Sequence, residues 1–270
     1  LIYYTFNSIT DRYTNNLFNG TGEASAFQYI EDQLDGIGYP HTSEPDRYGY
    51  YEHDYSYDGH QWKNLILTIP GFDLVDKKII IFSAHLDDLP EDNAPGADDN
   101  GVGAIAILEM ARVLRYYQFN SWIRLIWFTG EEQGLRGSSN YVADYPSLSE
   151  DLIGVINLDY FGYDGDEDGC FEIHAGSLPA SYLLGDCLVN SIDAYDLPLS
   201  YDYIKEVVPA SNSDHRSFWQ AGMGAIELLE NHYLNLYPGP YKQCGNTIDA
   251  SPYYHTDNDT IEKNVNTQHA

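Results

Sequence analysis

"KIIIFSAHLD", residues 78–87, is the stretch on which the fold turns. Its apolar residues run on almost without alternation and are mostly isoleucine, as in a strand buried on both faces. It stops on a histidine and an aspartate. After a polar loop comes "GVGAIAILEMARVLRYY", 101–117, opened by glycines and dense in helix formers. "WIRLIWFTG", 122–130, then reads as a second buried strand. Working outward, "NLILTIPG" (64–71), "LIGVINLDYFG" (152–162), "CFEIHAG" (170–176) and "GAIELLE" (224–230) read as further strands. Helices are predicted over 23–37, after Gly134, over 179–195 and in "DHRSFWQAGM" (214–223). Residues 41–62, polar and rich in tyrosine, read as a long loop or an edge hairpin. Strands alternating with helices predict one α/β domain, with a mostly parallel, mixed central sheet covered by helices on both faces.

The chain has 270 residues, 43% hydrophobic, enough for a substantial core. Thirteen basic against 42 acidic residues give a formal charge of −29. Such a surface repels nucleic acid and anionic membrane, so neither is expected as a partner. No apolar run approaches the roughly 20 residues of a membrane-spanning helix. The acidity fits an extracellular protein, and "LIYYTFNSIT", 1–10, has no signal-peptide pattern. The expectation is a secreted protein whose leader has been removed. Cys170, Cys187 and Cys244 allow one disulfide with a free thiol, or three thiols.

Five places put Asp, Glu or His at the end of an apolar strand or in the loop after it. They are His85 with Asp87 in "SAHLDD", Asp99 in "PGADDNGVG", Glu131–Glu132 in "FTGEEQG", Asp159 in "NLDYFG" and His255 in "YYHTDNDT". In a parallel sheet, groups at the carboxyl ends of successive strands converge. Imidazole nitrogen and carboxylate oxygen suit zinc, and the surplus over one ion's needs suggests two metals. Glu131 and Glu132 are adjacent; in an extended segment they would face opposite ways and serve different purposes.

"AHLDD", "PGADDNGVGA", "FTGEEQGLRGSSNYV", "INLDYFG", "SDHRSFWQAG" and "YHTDNDT" together resemble the bimetallic zinc aminopeptidases, the leucyl-type and aminopeptidase Y-like exopeptidases. The resemblance runs from about residue 62 to 262. It implies one peptidase domain, with a helix and long loop over 1–62 ahead of a metal-site core over 63–262. It implies that His85 and Asp159 hold one Zn2+, that Glu132 and His255 hold the other, and that Asp99 bridges them. Glu131 would be the general base, Asp87 would orient the His85 ring, and Tyr254 would steady the oxyanion. The substrates implied are peptides with a free N-terminus, and hydrophobic first residues are the default expectation.

Around these residues, Asp214 and His215 read as a helix cap beside the site, with substrate contact as the alternative. Asp259–Thr260 reads as a cap for "IEKNV". In "DGDEDG", Asp164, Asp166 and Asp168 mimic the first half of a calcium loop, but position twelve is Ala175. A Ca2+ turn and a solvated acidic loop are both open. The rival functions are a single-zinc glutaminyl-peptide cyclotransferase, a carboxypeptidase or dipeptidase, and a non-catalytic relative.

Overall fold

The structure, a computed structural model, describes residues 23–72, 77–89, 93–205, 212–232, 244 and 249–264. The stretch 1–10 discussed above lies outside them. Helix α1 (Glu23–Ile37) leads into a hairpin of β1 (Gly49–Tyr57) and β2 (His60–Ile69), so the hairpin reading of 41–62 holds for its second half. Then follow β3 (Ile79–His85), a wide π-type turn over Ala97–Val102, α2 (Gly103–Leu114) and β4 (Trp122–Phe128). Helices α3 (Arg136–Asp144) and α4 (Leu148–Asp151) precede β5 (Leu152–Leu158) and β6 (Cys170–Gly176). The chain continues through α5 (Pro179–Ala194), β7 (Ser200–Lys205), α6 (His215–Gln220), β8 (Ala225–Glu230) and the short α7 (Ile261–Asn264). Strand β7 carries no apolar run; "SYDYIK" is buried by pairing beside β6 and by packing Tyr201 and Tyr203 against Leu184, Val189 and Ile192 of α5.

The eight strands form one sheet in the order β1-β2-β4-β3-β5-β8-β6-β7. Its centre, β4-β3-β5-β8, is parallel, while β1, β2 and the β6–β8 pair add antiparallel contacts. Alternate residues of the strands pack to opposite faces. Leu65, Leu67, Leu125 and Trp127 meet Phe27, Ile30 and Leu34 of α1 and Ile107 and Leu108 of α2. Ile66, Ile81, Ile126 and Phe128 meet Tyr141 of α3 and Phe218 of α6. Each large side chain so buried stabilises the fold by roughly 1.5–3 kcal/mol. Because β3, β4 and β5 are parallel, their carboxyl ends share one edge of the sheet, where the conspicuous acids and histidines lie.

Candidate metal centre

His85 is the last residue of β3, and Asp159 directly follows β5. Asp99 comes from the π-type turn, and His255 arrives from the carboxyl-terminal segment. His85 Nε2 lies 3.1 Å from Asp159 Oδ1 and 3.2 Å from Asp99 Oδ1. His255 Nε2 lies 3.0 Å from Asp99 Oδ2 and 3.2 Å from Glu132 Oε1. Two donor groups result, His85–Asp99–Asp159 and Asp99–Glu132–His255, each with its ligand atoms within 4.8 Å of one another. They share Asp99, one oxygen facing each histidine.

The fit to metal rests on unsatisfied atoms. Asp99 Oδ2, Glu132 Oε1 and His255 Nε2 are buried and make no well-formed hydrogen bond. Buried polar atoms in native proteins find partners, and three of them converging on one point are what a bound cation satisfies. The nitrogen and oxygen donor set suits zinc. Burial opposes charge on His85, yet Asp159 and Asp99 hold its pKa well above the usual imidazole range. His255, likewise opposed by burial, is raised to about 10 by Asp99 and Glu132. Burial, then the Asp99 charge, lifts Glu132 to about 7. Without metal the cluster therefore shares protons among its members, and a cation binding there must displace them.

The scaffold around the ligands extends or departs from sequence expectation in five places. Asp87 does touch the His85 ring, but through its carbonyl oxygen, 3.0 Å from Nδ1; the nearest carboxylate oxygen is 3.9 Å away. Its carboxylate instead accepts the backbone N–H groups of Glu131 and Glu132, at 3.2 and 3.0 Å. These two glutamates are not separated by a strand pleat, since β4 ends at Phe128. They open a tight turn in which the Glu131 carbonyl accepts from Gly134 and Leu135.

Thr260 caps α7 through its carbonyl, which accepts the N–H groups of Lys263 and Asn264. Asp259 accepts from the Asn264 side chain at 2.6 Å on its carboxylate, which turns chiefly to the metal-bearing turn. Its two carboxylate oxygens accept the N–H groups of Asp98 and Asp99, each at 2.9 Å, and its carbonyl accepts from Ala97. Asp214 does stand at the N-cap of α6, though its carboxylate makes no cap bond, and neither it nor His215 lines the pocket beside the site. In the acidic loop it is Asp249, not Asp168, that gathers with Asp164 and Asp166. Asp168 accepts from the Cys170 N–H, and Asp164 accepts from Asp168 and Gly169.

Asn100 completes the metal-bearing turn. It donates to the Leu158 carbonyl beside Asp159 and accepts the Gly103 N–H at 3.1 Å, which opens α2. A cis peptide joins Asp99 to Asn100. Gly96 sits at φ +48 and supplies the left-handed entry to the turn.

Beside the donor groups is a cavity of 410 Å³. Glu131, 7% exposed, lines it and belongs to neither donor group. Burial, together with the charges of Glu132, Asp159 and Asp214, pushes its pKa well up against the opposing pull of His85. Tyr254 also lines the cavity, its ring stacked on His255 at 3.7 Å between centroids. Burial and the surrounding carboxylates raise its phenol pKa, so the O–H stays a donor. Glu227 and His232 line the same cavity and are missed by sequence reasoning. An acid inside the apolar run "AIELLE" was the available signal for Glu227. Cys170 and Cys244 form a disulfide, leaving Cys187 free and exposed.

Comparison with known proteins gives the family and the fold. A family model described as peptidase family M28 matches residues 64–270. A probable leucine aminopeptidase of Arthroderma otae is 27% identical over 222 residues, 76% of this chain and 52% of its own length. The chain thus spans about half the length of that relative. The structure of a zinc aminopeptidase from Bacillus subtilis superposes with a TM-score of 0.60 at 26% identity, covering 77% of this chain and 47% of that one. A glutaminyl cyclase from an Acidobacteriales bacterium shares the fold, with a TM-score of 0.71 at 20% identity over 97% of this chain and 85% of its own.

Proposed function

Because this chain belongs to peptidase family M28, we propose that it is an aminopeptidase removing the first residue of peptides with two zinc ions. The observation that carries this reading is Asp99, whose two oxygens face His85 and His255 in two separate donor groups. His85 and Asp159 would hold one ion, Glu132 and His255 the other, with Asp99 between. When bound, the ions polarise the scissile carbonyl and make water acidic enough to be a nucleophile near neutral pH.

The chain's own residues supply the rest. Glu131 takes the proton from the attacking water on its carboxylate and passes it to the leaving amine. Its buried site, with the turn pinned by Asp87, favours a carboxyl group able to hold that proton. The Tyr254 hydroxyl donates to the oxyanion as the carbonyl becomes tetrahedral. Carboxylates beyond those needed for metal attract the substrate's free α-ammonium. Leu135, Tyr160 and Tyr254 give the cavity apolar surface for a hydrophobic first side chain. The second donor group favours this reading over a single-zinc cyclotransferase. The disulfide and the charge of −29 support placement outside the cell, away from nucleic acid and anionic membrane.

The test is Glu131→Gln. Aminoacyl-nitroanilide turnover should vanish while zinc stays at about two per chain; loss of metal along with activity would assign Glu131 to the ligands instead. Zinc counting with a glutaminyl-peptide cyclisation assay separates the rival: one zinc and cyclisation would replace the peptidase reading.

A further inference from the structure

The cavity floor holds a carboxylate that the proposed reaction leaves unused. Glu227 stands midway along β8, 1% exposed, yet lines the cavity. Its Oε1 lies 3.5 Å from His215 Nδ1, and its Oε2 makes no hydrogen bond. Strand pairing places it: Glu227 is opposite Asn157 of β5 and His174 of β6, and Asn157 is opposite Ser83 of β3. Directly opposed residues share a face, as do residues two apart along a strand. Ser83, Asn157, Glu227 and His174 thus form one row. That row lies roughly 6–7 Å below the level of His85 and Asp159.

The other polar side chains of the row are engaged. Ser83 donates to Asn157, Asn157 donates to Ser213, and His174 is 2.7 Å from Glu172. Burial first, then the charges of Asp159, Glu172 and Asp214, weigh against charge on Glu227, with His85 pulling the other way, and Arg216 lines the same cavity. A buried carboxylate so placed gains strongly from a cation brought within contact.

We propose that Glu227 selects peptides whose first residue bears a positively charged side chain, lysine or arginine. The proposal rests on the aminopeptidase reading and replaces its hydrophobic first residue by a cationic one. The α-ammonium of every substrate sits at the level of the reacting carbonyl, beside Asp159 and Glu131. Only the tip of a long side chain reaches a carboxylate one layer deeper. The four-carbon stem of lysine suits that depth and can lie along Leu135 and the tyrosine rings, with its charged head at Glu227. The apolar surface of the cavity then serves the stem, and Glu227 reads the tip.

The experiment compares lysyl, arginyl, leucyl and norleucyl nitroanilides on the zinc-loaded wild type and on Glu227→Gln, which keeps the side-chain volume. Norleucine matches the lysine stem without its charge. The expected result is a wild-type preference for lysyl over norleucyl of at least about tenfold, lost in the variant, while leucyl and norleucyl kcat/KM stay within about threefold. An unchanged lysyl-to-norleucyl ratio in the variant would overturn the proposal. So would an equal fall for all four substrates, which would place Glu227 on the α-ammonium or in the fold. Calorimetric titration with L-lysinamide and L-norleucinamide in a Glu131→Gln background, where turnover should vanish, reads the same selectivity as binding alone. If no nitroanilide is cleaved but lysinamide selectivity depends on Glu227, the aminopeptidase reading fails and the cation subsite stands. If leucyl substrate is cleaved with no Glu227-dependent preference, the subsite fails alone.

Discussion

Replacing Asp259 tests how the bridging ligand is held. Its carboxylate spans the N–H groups of Asp98 and Asp99 at 2.9 Å each, in a site where all three residues are at most 2% exposed. Hydrogen bonds to a charged group contribute about 1.5–3 kcal/mol each. From these two bonds alone Asp259→Ala removes up to roughly 3–6 kcal/mol, a large share of the roughly 5–15 kcal/mol that keeps a domain folded. The same change breaks the Asn264 side-chain bond to Oδ1, at 2.6 Å. It also strands two buried donors beside the metal site. Asp259→Asn keeps one acceptor, halving the loss. Burial and the nearby Asp99 already raise the Asp259 pKa, so removing its charge relieves some repulsion. The net cost of the Asn variant should lie at the lower end, near 1.5 kcal/mol. Two assays read this apart. Denaturant unfolding of chelated protein reports the clamp itself, and chelator competition reports zinc affinity. Zinc should bind about 10–100-fold more weakly, the usual effect of losing a group that positions a ligand. An Asn variant with wild-type unfolding and wild-type zinc affinity would refute the reasoning.

Asp87→Asn removes the charge that pins the Glu131–Glu132 turn but leaves the carbonyl that meets His85. Its kcat should fall about 10–100-fold with zinc retained, measured by steady-state kinetics beside metal analysis. Gly103→Ala would bring a Cβ within 2.2 Å of Asn100 Oδ1, the acceptor of its own N–H. A destabilisation of about 1–3 kcal/mol is expected from thermal unfolding, and an unchanged melting point would show that the turn yields. Replacing both Cys170 and Cys244 by Ala opens a loop closed across 74 residues. The loss should be about 4 kcal/mol in denaturant unfolding under non-reducing conditions.

Much of the fold was legible because buried parallel strands announce themselves. "KIIIFSAHLD" and "WIRLIWFTG" are apolar on both faces, and the observed β3 and β4 fall inside them. Strand β7 was not legible, because "SYDYIK" has no apolar run and owes its burial to β6 and α5. At the site, residue type and strand-end position picked out seven groups, and the family resemblance named as ligands the five that the structure gathers: His85, Asp99, Glu132, Asp159 and His255. Asp87 meets the His85 ring as expected, but its carboxylate and that of Asp259 also pin backbone N–H groups, which the sequence did not foretell. A carboxylate's partners are set by which backbone N–H groups it faces, and for Asp259 those lie 160 and 161 residues away.

By itself, the sequence determined the chemistry on offer: nitrogen and oxygen donors at strand ends, a strongly acidic surface and a sheet buried on both sides. Tertiary structure alone decided which donors share Asp99, which carboxylates pin the backbone, and which acid lies beneath the cavity. Glu227 meets Asn157 and His174 only because β8 pairs between β5 and β6. Strand order follows from how the whole sheet packs its faces, and no local pattern within "AIELLE" encodes it.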